Sequence, residues 1–263
     1  MPAPAMNFLD HWIALPAGRV FAREWPAPTG ASDRAPLVLM HDSLGCVELW
    51  RDLPALLRDA TGRRVIAYDR LGSGRSDART SPPSLDFVAE EATTGFAAVR
   101  EQLGVGRFAV LGHSVGGGMS VNIAATWAAD CEALVTIAAQ AMVEERTLAG
   151  LRAARTSFAD PSQRERLARY HGDKAAWVLG AWLDTWLDPA FADWSLAPVL
   201  PRVACKVLAL HGADDEYGSA AHPRMIGERV AGPAIVEILP GVGHMPHRER
   251  PDDVVRRVAE FLV

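Results

Sequence analysis

The sequence predicts an α/β fold: a three-layer α/β/α sandwich around a mostly parallel, eight-stranded sheet, with a helical cap inserted after the sixth strand. Two observations carry this. Six short apolar runs are near-continuous rather than alternating, as strands buried on both faces of a parallel sheet must be, and segments of helical spacing separate them. One stretch of about sixty residues, Ala141 to Arg202, interrupts that alternation with helices and loops and no strand.

Taken in order, Arg19-Val20-Phe21-Ala22-Arg23 alternates and reads as half of an antiparallel edge hairpin. A Pro, Gly and Ser-rich connection, Trp25 to Pro36, follows it. The buried runs are Pro36–His41, Arg64–Asp69, Arg107–Gly112, Ala133–Ile137, Lys206–His211 and Ala234–Leu239. The last helix is the clearest, because Val254, Val255, Val258, Phe261 and Leu262 repeat on one face. Pro251, Asp252 and Asp253 occupy its first turn, where proline leaves no needed donor unsatisfied and acids complement the helix dipole. The strands lie on both sides of the interruption, which gives one core domain, residues 1–140 and 203–263, and an inserted cap, residues 141–202. Trp177, Trp182, Trp186 and Trp194, half of the eight tryptophans, belong to that cap.

Composition narrows the function classes. The 263 residues are 49% apolar and 22% charged, ordinary for a folded water-soluble chain, and the net charge of −5 offers no large basic footprint. Nucleic acid and anionic membrane are therefore excluded as expected partners, leaving a small molecule. Cys46, Cys131 and Cys205 are odd in number and lack CxxC spacing, so they read as reduced, buried thiols. Met1 to Trp25 has no positive region before an apolar run and carries Asp10, unlike a secretory signal, and no run reaches the roughly 20 apolar residues of a membrane span. A cytoplasmic location is expected.

The chemistry begins at Gly112-His113-Ser114-Val115-Gly116. A serine flanked by glycines two residues away on each side, between an apolar strand and a helix, fits a turn too tight for side chains at the flanking positions. The helix start beyond it supplies N–H groups and a positive dipole end to stabilise an oxyanion. A serine hydroxyl needs a base, and the base needs an orienting acid. His244 stands in the loop before the last helix. Asp214 and Asp215 stand at the end of the preceding strand, in His211-Gly212-Ala213-Asp214-Asp215. His244-Met245-Pro246-His247 has H-x-x-H spacing, but no third ligand accompanies it and no metal is expected.

With these residues in place the chain resembles the α/β-hydrolase superfamily over nearly its whole length. The H-G-x-x-D pattern implies Asp215 as the acid, and G-x-G-H matches Gly241-Val242-Gly243-His244. The D-x-x-G-x-G-x-S turn is matched by Asp69 to Ser76; Asp77 stands where a dinucleotide fingerprint needs a third glycine, so the segment reads as a structural turn and no cofactor is expected. The resemblance implies an oxyanion hole from the N–H groups of Val115 and of Ser43, in the loop His41-Asp42-Ser43-Leu44-Gly45. Asp42 departs from the family's glycine, and its carboxylate is expected to turn away from the oxyanion and tie down its own loop. Leu44, His113, Trp182, Trp186 and Met245 are the candidate substrate contacts, with Tyr170 and Phe158 as further rings of a pocket roof.

The expected function is a cofactor-free serine hydrolase with the triad Ser114, Asp215 and His244. It would cleave a carboxylic ester, lactone or thioester of small to medium, largely apolar character through an acyl-enzyme. Ser114 replaces the aspartate of dehalogenases and epoxide hydrolases, and Gly-His-Ser-Val differs from the G-G-S-W of proline iminopeptidases. The alternatives are a C–C bond hydrolase of ring-cleavage products, whose family usually has Asn and Trp where His113 and Met245 stand, and a ligand receptor that keeps the fold.

Overall fold

The computed structural model describes residues 8–30 and 34–262. The first seven residues of the N-terminal stretch, and the middle of the Trp25–Pro36 connection, lie outside the described residues. The chain runs β1 (Leu9–Leu15), β2 (Gly18–Trp25), β3 (Leu37–Met40), α1 (Leu53–Thr61), β4 (Val65–Tyr68), α2 (Phe87–Glu90), α3 (Gly95–Gln102), β5 (Phe108–His113), α4 (Val115–Thr126) and β6 (Cys131–Ile137). Three helices follow without a strand: α5 (Glu145–Ser157), α6 (Pro161–His171) and α7 (Ala175–Trp186). Then come β7 (Lys206–Gly212), α8 (Ala221–Arg229), β8 (Ala234–Leu239), α9 (Pro246–Glu249) and α10 (Pro251–Leu262).

The eight strands form one sheet in the order β1-β2-β4-β3-β5-β6-β7-β8. The β1–β2 hairpin is antiparallel, as is its junction to β4, and every other pairing is parallel. The predicted edge hairpin is thus present with Leu9–Leu15 as its second arm. Period-two alternation sends Leu37, Leu39, Leu111 and Val135 into a core with α1 and α10 on one face of the sheet. It sends Val38, Met40, Val110 and Leu134 into a second core with α3, α4 and α8 on the other. On α10, Val254, Val258 and Leu262 are the buried positions, so the predicted stripe is the one that packs.

Strand order reverses direction at β3, whose neighbours β4 and β5 follow it on opposite sides. In parallel sheets such a reversal opens a crevice beyond the strands' carboxyl ends, because successive connections leave to opposite faces. The loops carrying His41–Ser43, Ser114, Gln140, Asp215 and His244 follow β3, β5, β6, β7 and β8, all at that one end. At the opposite end, Cys131 and Cys205 come within 3.7 Å of each other as free thiols, a proximity their spacing of over seventy residues did not signal.

Candidate active site

Ser114 joins β5 to α4 with φ 57° and ψ −127°, a region L-residues rarely occupy. Close packing enforces it. A Cβ at Gly112 would overlap the carbonyl of Gly116, and one at Gly116 would overlap the carbonyls of Met40 and His41, so both flanking positions admit only glycine. The turn lifts Oγ toward the C-terminal loops, where His244 Nε2 lies 3.0 Å away.

His244 Nδ1 faces both carboxylate oxygens of Asp215, at 2.9 and 2.8 Å. A proton on Nδ1 serves those bonds and leaves Nε2 bare to accept the Ser114 hydroxyl. Asp215 is fully buried and also accepts the backbone N–H groups of Tyr217 (2.8 Å) and Gly218 (3.2 Å). Burial opposes its charge, but the bonds from His244 and Tyr217, with the nearby imidazoles, outweigh it and hold its carboxyl below the ordinary range. Asp214 is placed elsewhere: its N–H donates to the Val242 carbonyl in the turn before His244.

Two contacts at this centre had no signal in the sequence. The side-chain amide of Gln140, in the loop after β6, lies 3.1 Å from Ser114 Oγ and is almost fully buried. With the single hydroxyl proton directed to His244, the amide serves Oγ best by turning its N–H toward it. The ring of Tyr217 packs against His244, centroids 4.8 Å apart, and Trp182 of the cap packs on Tyr217 in turn.

The loop after β3 is tied from several sides. The Asp42 carbonyl accepts His41 Nδ1 (2.7 Å), Arg70 Nη2 (2.9 Å) and the N–H of Gly45 (3.2 Å), while Arg70 Nη1 donates to the His41 carbonyl (2.5 Å). A trans peptide points its C=O and N–H in opposite directions. Anchoring the Asp42 carbonyl on Arg70 therefore sends the Ser43 N–H the other way. The Asp42 carboxylate lies over Gly45, where a Cβ could not fit. Arg70 belongs to the Asp69–Ser76 turn, whose other members are structural: the Asp69 carboxylate accepts Val47 and Arg75 N–H groups, and Ser76 bridges the Asp69 carbonyl to the Phe21 N–H.

A cavity of about 500 Å³ opens under the cap. Ser43, Val115 and Met119 form part of its wall, and Trp177, Trp182 and Trp186 form its aromatic side. Arg70, Arg79, Glu90 and Glu91 give it a charged side that composition did not suggest. Trp186 also packs against Phe191 and Trp194 within the cap, and Phe191 in turn meets Phe87 of the core.

Three candidate substrate contacts are placed away from this cavity. His113 precedes Ser114 and points to the other side of the strand, where its Nε2 donates to the His244 carbonyl (2.8 Å) and its ring meets that of His247. Burial pushes His113 down to about 4, so it acts as a neutral donor behind the imidazole, not as a substrate contact. Met245 directs its N–H to Glu249, and Leu44 offers its carbonyl to His171 of α6. Tyr170 and Phe158 are likewise not part of the cavity wall.

The sequence model of the alpha/beta hydrolase family matches residues 37–257, spanning the elbow, the cap and both later loops. The chain belongs to this family. Among curated relatives, a proline iminopeptidase of Lactobacillus delbrueckii subsp. lactis is 36% identical over 87 residues, covering 33% of this chain and 30% of that protein. A (lyso)-N-acylphosphatidylethanolamine lipase of Bos taurus is 32% identical over 117 residues, covering 44% of this chain and 33% of that protein. The chain thus spans about a third of the length of the curated relatives it matches. The enol-lactonase of Burkholderia xenovorans LB400 superposes with a TM-score of 0.73 at 23% identity, over 96% of this chain and 99% of that one, a likeness of fold. Peptidase and lipase relatives agree on hydrolysis and differ in the bond cleaved. Among the described residues, no helix is long and apolar enough to cross a membrane.

Proposed function

We propose that this α/β hydrolase is a serine esterase that cleaves a small to medium carboxylic ester, lactone or thioester through an acyl-enzyme. The observation that carries the reading is the continuous relay Ser114–His244–Asp215, at 3.0 and 2.8 Å, beside a cavity partly walled by Ser43 and Val115. Ser114 Oγ attacks the carbonyl carbon as His244 takes its proton; His244 then returns that proton to the leaving group and later activates water for deacylation. Asp215 holds the imidazole tautomer and stabilises the imidazolium. The N–H groups of Ser43 and Val115 receive the oxyanion; Val115 is the first residue of α4, where a helix N–H has no carbonyl of its own helix to meet.

The cavity suits a substrate that is apolar where it meets Trp177 and Trp182 and polar where it meets Arg79 and Glu91. A panel of p-nitrophenyl esters of increasing chain length, lactones, thioesters and prolyl p-nitroanilide tests the proposal. Esters or their analogues are expected to lead in kcat/KM, and a fluorophosphonate probe is expected to label Ser114. Preference for the prolyl amide would move the reading to a peptidase. A feeble response across every class would favour C–C cleavage, and no labelling with no turnover would leave a ligand receptor. Within the panel, Trp182→Ala is expected to raise KM for longer acyl chains by about tenfold, since truncating a half-buried aromatic contact removes one to two kcal/mol of binding, while acetyl ester turnover stays near wild type.

A further inference from the structure

His171 is the last residue of α6, in the cap, and is 1% exposed. Its Nδ1 lies 2.8 Å from the backbone nitrogen of Gly74. A backbone N–H can only donate, so Nδ1 is bare and the ring proton resides on Nε2. Nε2 lies 3.0 Å from the Leu44 carbonyl and donates to it. One cap side chain therefore links two core loops: the Asp69–Ser76 turn that contains Arg70, and the loop that carries Ser43.

Each end of that loop now has an anchor. Arg70 fixes the carbonyls of His41 and Asp42 from the core side, and His171 fixes the carbonyl of Leu44 from the cap side. The Ser43 N–H lies between these anchors. Its direction is set by the rotation of the Asp42–Ser43 peptide, whose carbonyl Arg70, the His41 ring and the Gly45 N–H hold from within the core, while the Leu44 carbonyl beyond it is held by the cap. We propose that His171 is a positioning residue through which the docked cap aims the Ser43 N–H at the oxyanion, so that cap placement and transition-state stabilisation are coupled. The inference rests on the esterase reading above, with Ser43 as an oxyanion donor.

Two substitutions separate the two bonds. Asparagine places an amide oxygen near the position of Nδ1 and retains the acceptor for Gly74 while losing the donor to Leu44. Glutamine places an amide nitrogen near Nε2 and retains the donor to Leu44 while losing the acceptor. His171→Asn is expected to lower kcat for p-nitrophenyl butyrate by about tenfold or more with KM changed less than about threefold, and to weaken a trifluoromethyl ketone, whose hemiketal oxygen occupies the oxyanion site, in parallel. His171→Gln is expected to stay within about threefold of wild type in both. A merely structural histidine would give equal losses in the two variants, or a loss confined to KM, and either result overturns the proposal. Should neither variant fold, hydrogen–deuterium exchange on the wild-type protein decides. Binding of the trifluoromethyl ketone is expected to protect residues 41–46 and the C-terminal part of α6 together, and protection of the loop without the cap overturns the coupling. A wild type that neither reacts with fluorophosphonate nor binds the ketone would overturn the esterase reading itself; an active wild type with equal Asn and Gln variants would overturn only the role of His171.

Discussion

Ser114→Ala is expected to lower kcat for aryl ester hydrolysis by about a millionfold, the scale on which removing a serine nucleophile acts when the base is left without a partner. The folded state should be nearly untouched, because alanine keeps the Cβ and forfeits only the hydroxyl bonds to His244 and Gln140. The strained backbone makes a second substitution informative. Ser114 carries a Cβ at φ 57°, a conformation that costs on the order of 1 kcal/mol or more in an L-residue and little in glycine. Ser114→Gly is therefore expected to be equally inactive yet more stable, by about 1 kcal/mol, read as a rise of about 2 to 4 °C in Tm. A glycine variant that melts below the alanine variant would mean that the surroundings do not impose the turn.

The second large effect is acid lability. Six of the eight histidines, His41, His113, His171, His211, His222 and His247, are buried and held below the ordinary imidazole range, burial being the leading cause in each. The unfolded chain takes up a proton on each near pH 6.5 and the native chain does not, so the stabilisation is fully present above about pH 6.5 and is lost as pH falls toward the native values. For His113, at about 4 when folded, the loss across that window is about 3 kcal/mol. Asp69 works in the opposite sense. Burial pushes it up to about 6, so the native state takes its proton first and gains stability as pH falls toward the ordinary carboxylate range, by an amount similar to one histidine. Glu91, also raised by burial, adds in the same direction. Two acids do not offset six imidazoles, and a domain has only about 5 to 15 kcal/mol to lose. Tryptophan fluorescence is expected to report unfolding above about pH 4. A native spectrum persisting well below that value would mean that several of these histidines protonate without leaving their sites.

The strands and the elbow were legible because both are written locally. A buried parallel strand needs only a run of apolar residues, and the elbow needs glycine at 112 and 116 whatever surrounds it. Strand order was not legible, since pairing of β4 with β2 and of β3 with β5 depends on segments far apart in the chain. The same distance hid His171, whose partners Leu44 and Gly74 lie 127 and 97 residues away, and it hid Gln140, which meets Ser114 only because β6 lies beside β5. His113 misled for a local reason. Adjacency to Ser114 suggests a shared site, yet successive residues of a strand point to opposite sides, and His113 ends β5. His113 is consequently the support behind the imidazole. Arg70 sat in a turn that reads as structural, and it reaches the loop that carries Ser43 both through its guanidinium, on the His41 and Asp42 carbonyls, and through its backbone N–H, on the His41 ring.

The sheet order also divides the relay unequally. Ser114, the proposed nucleophile, follows β5, a central strand paired on both sides, whereas His244, the proposed base, follows β8, an edge strand hydrogen-bonded only to β7. Edge elements open locally at lower free energy than central ones. On heating, β8 and the loop bearing His244 should therefore detach while β3, β5 and β6 remain paired. The heat limit of turnover is then set by the fraying of one border of the sheet, so strengthening the β7–β8 seam should extend working temperature more than any repacking of the centre.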